Sequence, residues 1–339
     1  MRATPPLRTR EGDFIETVEG LIFDVKGLIH PPDRIISFLR YAPSPSGVRE
    51  RGDVRYKKIY ALQERWRFLR KHFPKYVYFD KYFGRELQAV TIENVRTHYD
   101  PRNKITELLN KNVCDEVERS TIELAQTLEK KSTISITNTG ISGSVLVGLQ
   151  EPDSDIDLII YGSNPARRVY QTLQSLLSNG KTLRRYRLDD LKRLYKLRSM
   201  RSAMRFNDFC THENRKVLQG RFLARDFFVR CIRDWDEVRE TYGSFMCRRV
   251  GRAKISAIVS DDSDAIFTPC LYEVECARIL GGVDLRPKRL LSYRGRFCEQ
   301  AKVGEKVMAF GDLEEVMTES DKYSQLVVGE SPRDFILKV

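Results

Sequence analysis

Residues 140–162 read Gly140-Ile141-Ser142-Gly143-Ser144-Val145-Leu146-Val147-Gly148-Leu149-Gln150-Glu151-Pro152-Asp153-Ser154-Asp155-Ile156-Asp157-Leu158-Ile159-Ile160-Tyr161-Gly162. The composition of residues 155–161 predicts a strand, with Asp155 and Asp157 alternating with Ile156 and Leu158. Side chains at i and i+2 of a strand share a face, with Cα atoms roughly 6–7 Å apart. Two carboxylates at that spacing repel each other, and burial raises their pKa values further. A divalent cation between them removes that penalty. Magnesium takes one or two carboxylates and fills its other positions with phosphate oxygens and water. Ile156 points the other way, into a core. The Gly143-Ser144 pair, separated from Asp155 by ten residues, is a turn that opens a helix. Free backbone N–H groups and the positive end of the helix dipole suit a phosphate there. Gly143 lets the backbone approach closely, and the Ser144 hydroxyl caps the helix or donates to a phosphate oxygen. Asp-x-Asp alone is common on solvated strands, and Gly-Ser turns are commoner still. Specificity comes from the two in this order on a strand–turn–helix–strand layout, which makes a site for a triphosphate and magnesium.

Outward from this stretch, residues 133–136 predict a short strand and residues 165–177 a helix stopped by Ser178-Asn179-Gly180. Residues 102–130 predict helix, with apolar stripes at Ile105, Leu108 and Leu109 and at Val117, Ile122, Leu124 and Leu128. Residues 188–205 predict a basic helix and residues 222–232 a strand. On the N-terminal side, residues 1–12 read as a loose basic tail. Residues 13–61 read as short strands and loops, and Leu62, Trp66, Leu69 and Phe73 fall on one helical face. Residues 251–339 read as short β-segments, clearest at 255–259. The expected fold is α/β (α+β), with a mixed-sheet middle domain at 101–235 between β-rich modules at 1–100 and 236–339 that pack together around it.

Gly143-Ser144, ten residues, then Asp155-Ile156-Asp157 resembles the signature of the DNA polymerase β superfamily of nucleotidyltransferases. The resemblance covers roughly residues 102–235, and the whole chain resembles an archaeal group of predicted nucleotidyltransferases. It implies transfer of a nucleotidyl group from a nucleoside triphosphate, with pyrophosphate leaving and two metal ions clamping the attacking and leaving oxygens. Asp155 and Asp157 would then be ligands of magnesium, with manganese as an alternative, and Gly143 and Ser144 would contact the triphosphate. The superfamily adds a third carboxylate on a later strand. Asp226, within Arg221-Phe222-Leu223-Ala224-Arg225-Asp226-Phe227-Phe228, is the candidate, a charge in a strand-like run, with Asp208 and Asp234 as fallbacks. Its bland alternative is a solvated strand face. One departure stands out: minimal members often carry an Arg after the Gly-Ser pair, and here Val145 and Leu146 follow, so cations must come from elsewhere.

A formal net charge of +12 favours polyanionic partners. Residues 181–205 hold ten Lys or Arg: Lys181, Arg184, Arg185, Arg187, Lys192, Arg193, Lys196, Arg198, Arg201 and Arg205. Tyr186 and Tyr195 are placed to stack on bases, and Leu188, Leu191, Leu194 and Leu197 form an apolar stripe. The alternative is a solvated charged face. Seven scattered cysteines without a C-x-x-C pair argue for free thiols and against a disulfide framework or structural zinc. His212 is a further candidate to line the site. No stretch is apolar enough to span a membrane and the N-terminus has no signal-peptide core, so the expected setting is cytoplasmic. The leading expectation is a magnesium-dependent nucleotidyltransferase acting on an RNA hydroxyl. Its rivals are transfer to a protein side chain and an RNA-binding protein on a lapsed scaffold. The acceptor, base preference and oligomeric state are not written in the sequence.

Overall fold

A computed structural model of the chain describes residues 7–180, 182–199 and 204–339. Lys181 and Arg201 of the basic run and residues 1–6 of the expected tail lie outside these. The described residues form seven helices and three sheets, a mixed α+β architecture with a central α/β layer and β-rich flanks.

The central sheet has the order Leu183–Arg184, Gln219–Phe222, Arg225–Ile232, Ile156–Tyr161, Thr139–Ile141. Ile156–Tyr161 runs parallel to Arg225–Ile232 and antiparallel to Thr139–Ile141. It is buried on both faces, as a central strand must be, with Asp157 the one charged residue in it. Ile156, Leu158 and Ile160 turn toward the helices, while Ile159 and Tyr161 turn the other way and are equally buried. Asp155 and Asp157 share the second face. The helices Pro101–Leu109, Glu116–Ser132 and Ser163–Asn179 cover the first. The helix expected over 102–130 is thus two helices, because Asp115 caps a new start through a reciprocal box with Glu118. The strand expected at 133–136 lies further on, at Thr139–Ile141, after a left-handed Thr133 and a single 3-10 turn, Ile136–Asn138. The strand expected at 222–232 is a hairpin folded at Leu223 and Ala224. A helix not anticipated, Phe206–Arg215, follows the basic helix Leu188–Ser199.

The first sheet, from Phe14–Thr17 to Val95–Tyr99, is antiparallel and carries the helix Leu62–His72. The third is a mixed sheet built on a long antiparallel ribbon in which Phe245–Asp261 pairs with Lys306–Thr318, with one parallel pair, Arg289–Ser292 on Lys322–Val327. Its strands reach 17 residues, well beyond the short segments expected. One apolar cluster runs from Ile105 through Ile160 and Phe227 to Tyr272 and Ile336, so the central and third sheets share a core. The first sheet has its own core and meets the central layer through a second cluster, in which Phe14, Ile22, Tyr41 and Tyr56 pack on Leu146, Val147 and Leu149. First and third sheets also touch. Tyr82 O accepts the Cys247 N–H (2.6 Å), and Arg85 pairs with Glu314. The expected tail is not loose from residue 9 on. Thr9, Arg10 and Glu11 are buried, Arg10 pairs with Asp234, and Glu11 pairs with Lys26 and Arg230.

Candidate active site

Asp155 precedes the central strand and Asp157 is its second residue, both on the face turned toward the first sheet. Gly143 opens the single-turn helix Gly143–Leu146 with φ +66°. Only glycine fits. A Cβ there would collide with Asp157 Oδ2 and stand 2.8 Å from its Cγ. The two sequence features separated by ten residues are therefore in direct contact, and the Ser142 N–H donating to Asp157 O (2.9 Å) locks them together. Ser144 is buried, and its carbonyl accepts the Leu149 N–H (2.9 Å), which closes the turn.

Asp226 is the second residue of the neighbouring strand, Arg225–Ile232. Ile156 pairs with Phe227, so Asp226 stands one step back, beside Asp155 and on its face. It is engaged: Arg193 donates to both oxygens (2.9 and 2.8 Å) and Arg221 to one (2.7 Å). Among the described residues no group of three or more His, Cys, Asp or Glu is gathered closely enough to hold a metal. Asp155, Asp157 and Asp226 line one face without forming such a cage. Asp234 lies beyond the far end of the same strand, paired with Arg10 and Arg102.

Asp155 is exposed yet hemmed in by protein. Desolvation, then Asp157 and Asp226, push its carboxyl up to about 6. Asp157 is raised as well, chiefly by burial, against the pull of Arg230, Arg40 and Lys58. Among the described residues neither carboxylate makes a side-chain hydrogen bond or ion pair, which sets the pair apart from the paired acids around it. Its electronegative oxygens, costly as they stand, fit a divalent cation.

The first sheet supplies what sequence reasoning missed. Arg40 and Lys58 lie on adjacent strands, where Ile59 N–H bonds to Arg40 O (2.9 Å), and both face Asp157. Burial and the neighbouring Arg40 and Arg49 pull the Lys58 ammonium down to about 8, although Asp157 and Asp155 oppose the shift. The only signal in the sequence is the basic and aromatic run Tyr56-Lys57-Lys58-Ile59-Tyr60, which says nothing of its distant partner. Val145 and Leu146, standing where an Arg was looked for, are buried; Leu146 belongs to the cluster that docks the first sheet. Two cavities, of about 850 and 780 Å³, lie between the first and third sheets and are lined by neither Asp155 nor Asp157.

The basic helix differs from its reading. Leu191 and Leu194 are buried, but Leu188 and Leu197 are exposed. A spacing of three drifts about 60° per step on a helix of 3.6 residues per turn, so the ends of the run leave the apolar face. Tyr186 is buried, and Tyr195 packs on Phe206 and Phe209 with its hydroxyl on Met204 O, so both are core residues and not platforms for bases. Several cations are satisfied within the protein, Arg184 by Asp190 and Arg198 by Glu213. His212 is also structural. It is buried, with Nδ1 donating to Gln300 O (3.0 Å) and Nε2 accepting from Lys338 N–H (3.2 Å).

A family described as nucleotidyltransferase domain matches residues 121–210. That span contains Gly143, Ser144, Asp155 and Asp157 and stops short of Asp226. The chain is 31% identical to an uncharacterized protein of Methanocaldococcus jannaschii over 339 residues, covering 97% of this chain and 98% of that one. Likeness thus extends through both flanking sheets. No solved structure matches the chain. Among the described residues no helix is long and apolar enough to cross a membrane.

Proposed function

We propose, from the premise that this chain belongs to the nucleotidyltransferase family and is a transferase of phosphorus-containing groups, that it moves a nucleoside monophosphate from a nucleoside triphosphate to an acceptor hydroxyl of RNA in a magnesium-dependent reaction. Asp155 and Asp157 would hold the metal, with manganese as an alternative; when bound, it supplies charge stabilisation at the attacking and leaving oxygens. The Gly143-Ser144 turn offers backbone N–H groups to the triphosphate, and Lys58 and Arg40 face it from the first sheet. Asp226, beside Asp155, would accept the proton of the acceptor hydroxyl once Arg193 or Arg221 yields. The observation that carries the reading is the contact of Gly143 with the carboxylate of Asp157, beside a second carboxylate equally without a partner. The basic charge favours RNA as acceptor.

The test incubates the purified chain with each labelled nucleoside triphosphate, magnesium and total RNA or protein, next to the Asp155→Ala/Asp157→Ala double variant. Metal-dependent label on RNA from wild type alone is expected. The engagement of Asp226 by two arginines favours a second reading, an RNA-binding protein on a lapsed scaffold. Salt-sensitive RNA binding that is equal in the double variant, without metal-dependent triphosphate binding, would establish that second reading and remove the first.

A further inference from the structure

The third sheet carries apolar side chains on both of its faces. Tyr272, Leu290, Leu313 and Leu326 turn to the core that it shares with the central sheet. Leu271 pairs with Leu291, and Val316 pairs with both Cys247 and Tyr323, so these five stand on the other face. All five line the cavity of about 780 Å³, and Ile36, Phe38, Phe83 and Leu87 of the first sheet line it too. Protein interiors are close-packed, with few voids larger than a water molecule. A space of this size between two apolar sheet faces is not packing slack; it falls in the roughly 300–1,000 Å³ range of ligand pockets.

The charges around the cavity show what kind of ligand fits. Lys26 pairs with Glu11 and Asp24, Arg85 with Glu314 and Glu330, Arg233 with Asp264, and Glu86 with Arg70. Glu237 is held by the N–H groups of Ser163 and Asp234. Asp236, Arg239 and Glu240 are exposed. Arg289 is the exception. It is half-buried in the lining, on the same face as Leu291, and among the described residues it enters no ion pair. Glu273, opposite it on the neighbouring strand, is beyond ion-pair reach. Its Nε donates to Gln325 Oε1 (3.1 Å) and Nη2 to the Tyr323 hydroxyl, both neutral groups, and its guanidinium lies 4.1 Å from the Tyr323 ring centroid. Gln325 in turn donates to Glu314 (3.1 Å), whose charge Arg85 already balances. Nη1 of Arg289 donates to no described residue. A guanidinium with open donors, set in an apolar wall, suits a carboxylate or phosphate oxygen. The aromatic rings of Phe38, Phe83 and Tyr323 suit a flat body.

We propose that this cavity is a second ligand site, apart from Asp155 and Asp157, and that it takes a small molecule with a flat ring system and an acidic group received by Arg289. The site stands whether or not the chain transfers nucleotides.

The experiment is a calorimetric titration of the full chain in buffer with a chelator, which keeps metal away from Asp155 and Asp157. Two matched pairs of probes are used, naphthoate against its neutral amide and adenosine monophosphate against adenosine. Thermal melts confirm that wild type, Arg289→Gln and Leu291→Trp are folded. In at least one pair the acid should bind wild type saturably and about tenfold more tightly than its neutral mate, the scale of one charge-assisted hydrogen bond. Arg289→Gln should erase that preference and leave the neutral mate's affinity unchanged. Leu291→Trp, which fills the cavity, should weaken acid and neutral mate alike by at least about tenfold. Arg289→Gln alone decides the test if Leu291→Trp does not fold. A preference for naphthoate identifies a carboxylate ligand, and one for adenosine monophosphate a nucleotide. Failure of both acids to bind wild type overturns the proposal, as does equal binding of acid and neutral mate in both pairs. A preference for the acid that survives Arg289→Gln overturns it too.

Discussion

A methyl group on Gly143 would occupy the place of Asp157 Oδ2, at a backbone φ of +66° that L-residues adopt only at a cost. Gly143→Ala should therefore lose transfer by about a hundredfold, the effect of a small misplacement of a reacting group. Stability should fall by only about 1–2 kcal/mol. A rate assay beside a urea melt checks both, and full activity would show that the turn and the carboxylate do not work together. Asp226 admits a similarly sharp division. If it takes the acceptor's proton, Asp226→Asn should lower transfer by at least about a hundredfold while triphosphate binding survives. If it only balances Arg193 and Arg221, the variant should lose stability and keep its rate. Residues 143, 144, 155 and 157 were legible because their meaning is local: strand alternation places two carboxylates on one face, and a Gly-Ser turn frees N–H groups. Asp226 was legible as an anomaly, a charge inside a strand. Lys58 and Arg40 were not, because nothing within a few residues of them refers to a site about 100 positions away.

Among the elements, the single-turn helix Gly143–Leu146 does two jobs. Its first residue touches a carboxylate, and the chain just after it receives the first sheet: Leu146, Val147 and Leu149 pack on Phe14, Ile22, Tyr41 and Tyr56, and Arg51 donates to Val147 O (3.2 Å). Leu149→Ala removes a fully buried side chain from this junction and should cost about 2–4 kcal/mol. Because the first sheet carries Lys58 and Arg40, triphosphate affinity should fall together with stability, although Leu149 touches no substrate. A denaturation curve and a binding isotherm on the same preparation check the coupling, and a variant that loses stability but binds triphosphate as wild type does would break it. The central strand and the helix Ser163–Asn179 were readable because their apolar pattern is dictated by burial on both faces or one. The basic helix misled because leucines three apart look like a stripe over one turn and wander off the face over three.

Across the whole molecule, the three sheets are tied to one another by polar contacts that no local pattern announces. One of these ties is a histidine, and a second histidine braces the first sheet from within. His212, on the Phe206–Arg215 helix, gives its Nδ1 proton to Gln300 O and takes the Lys338 N–H on Nε2. His30 binds Thr9 O through Nε2 and takes the Ile36 N–H on Nδ1. In both, one ring nitrogen must remain a bare acceptor, so each ring is neutral in the fold. Burial accordingly holds both down to about 4. The unfolded chain takes up the proton near pH 6.5. Above that pH the two states are alike in protonation and the tie contributes fully. Between about 6.5 and 4 only the unfolded chain is protonated, so stability drains away as pH falls, and below about 4 the loss is complete. For the fully buried His212 this amounts to at most about 3 kcal/mol. Asp155 works in the opposite direction over much of this window, since its carboxyl, raised to about 6, gains protons earlier in the fold than in the unfolded chain. The wild-type profile alone therefore mixes the two signs, and the difference from His212→Gln separates them. Gln keeps a donor and an acceptor but cannot titrate. At pH 7 the variant should be less stable than wild type by about 1 kcal/mol for imperfect hydrogen bonds. On descent to pH 4.5 the gap should close and then reverse in favour of Gln. Urea midpoints taken at each pH for both chains measure this, and a gap that stays constant from pH 7 to 4.5 would mean that His212 titrates in the fold as it does in the unfolded chain.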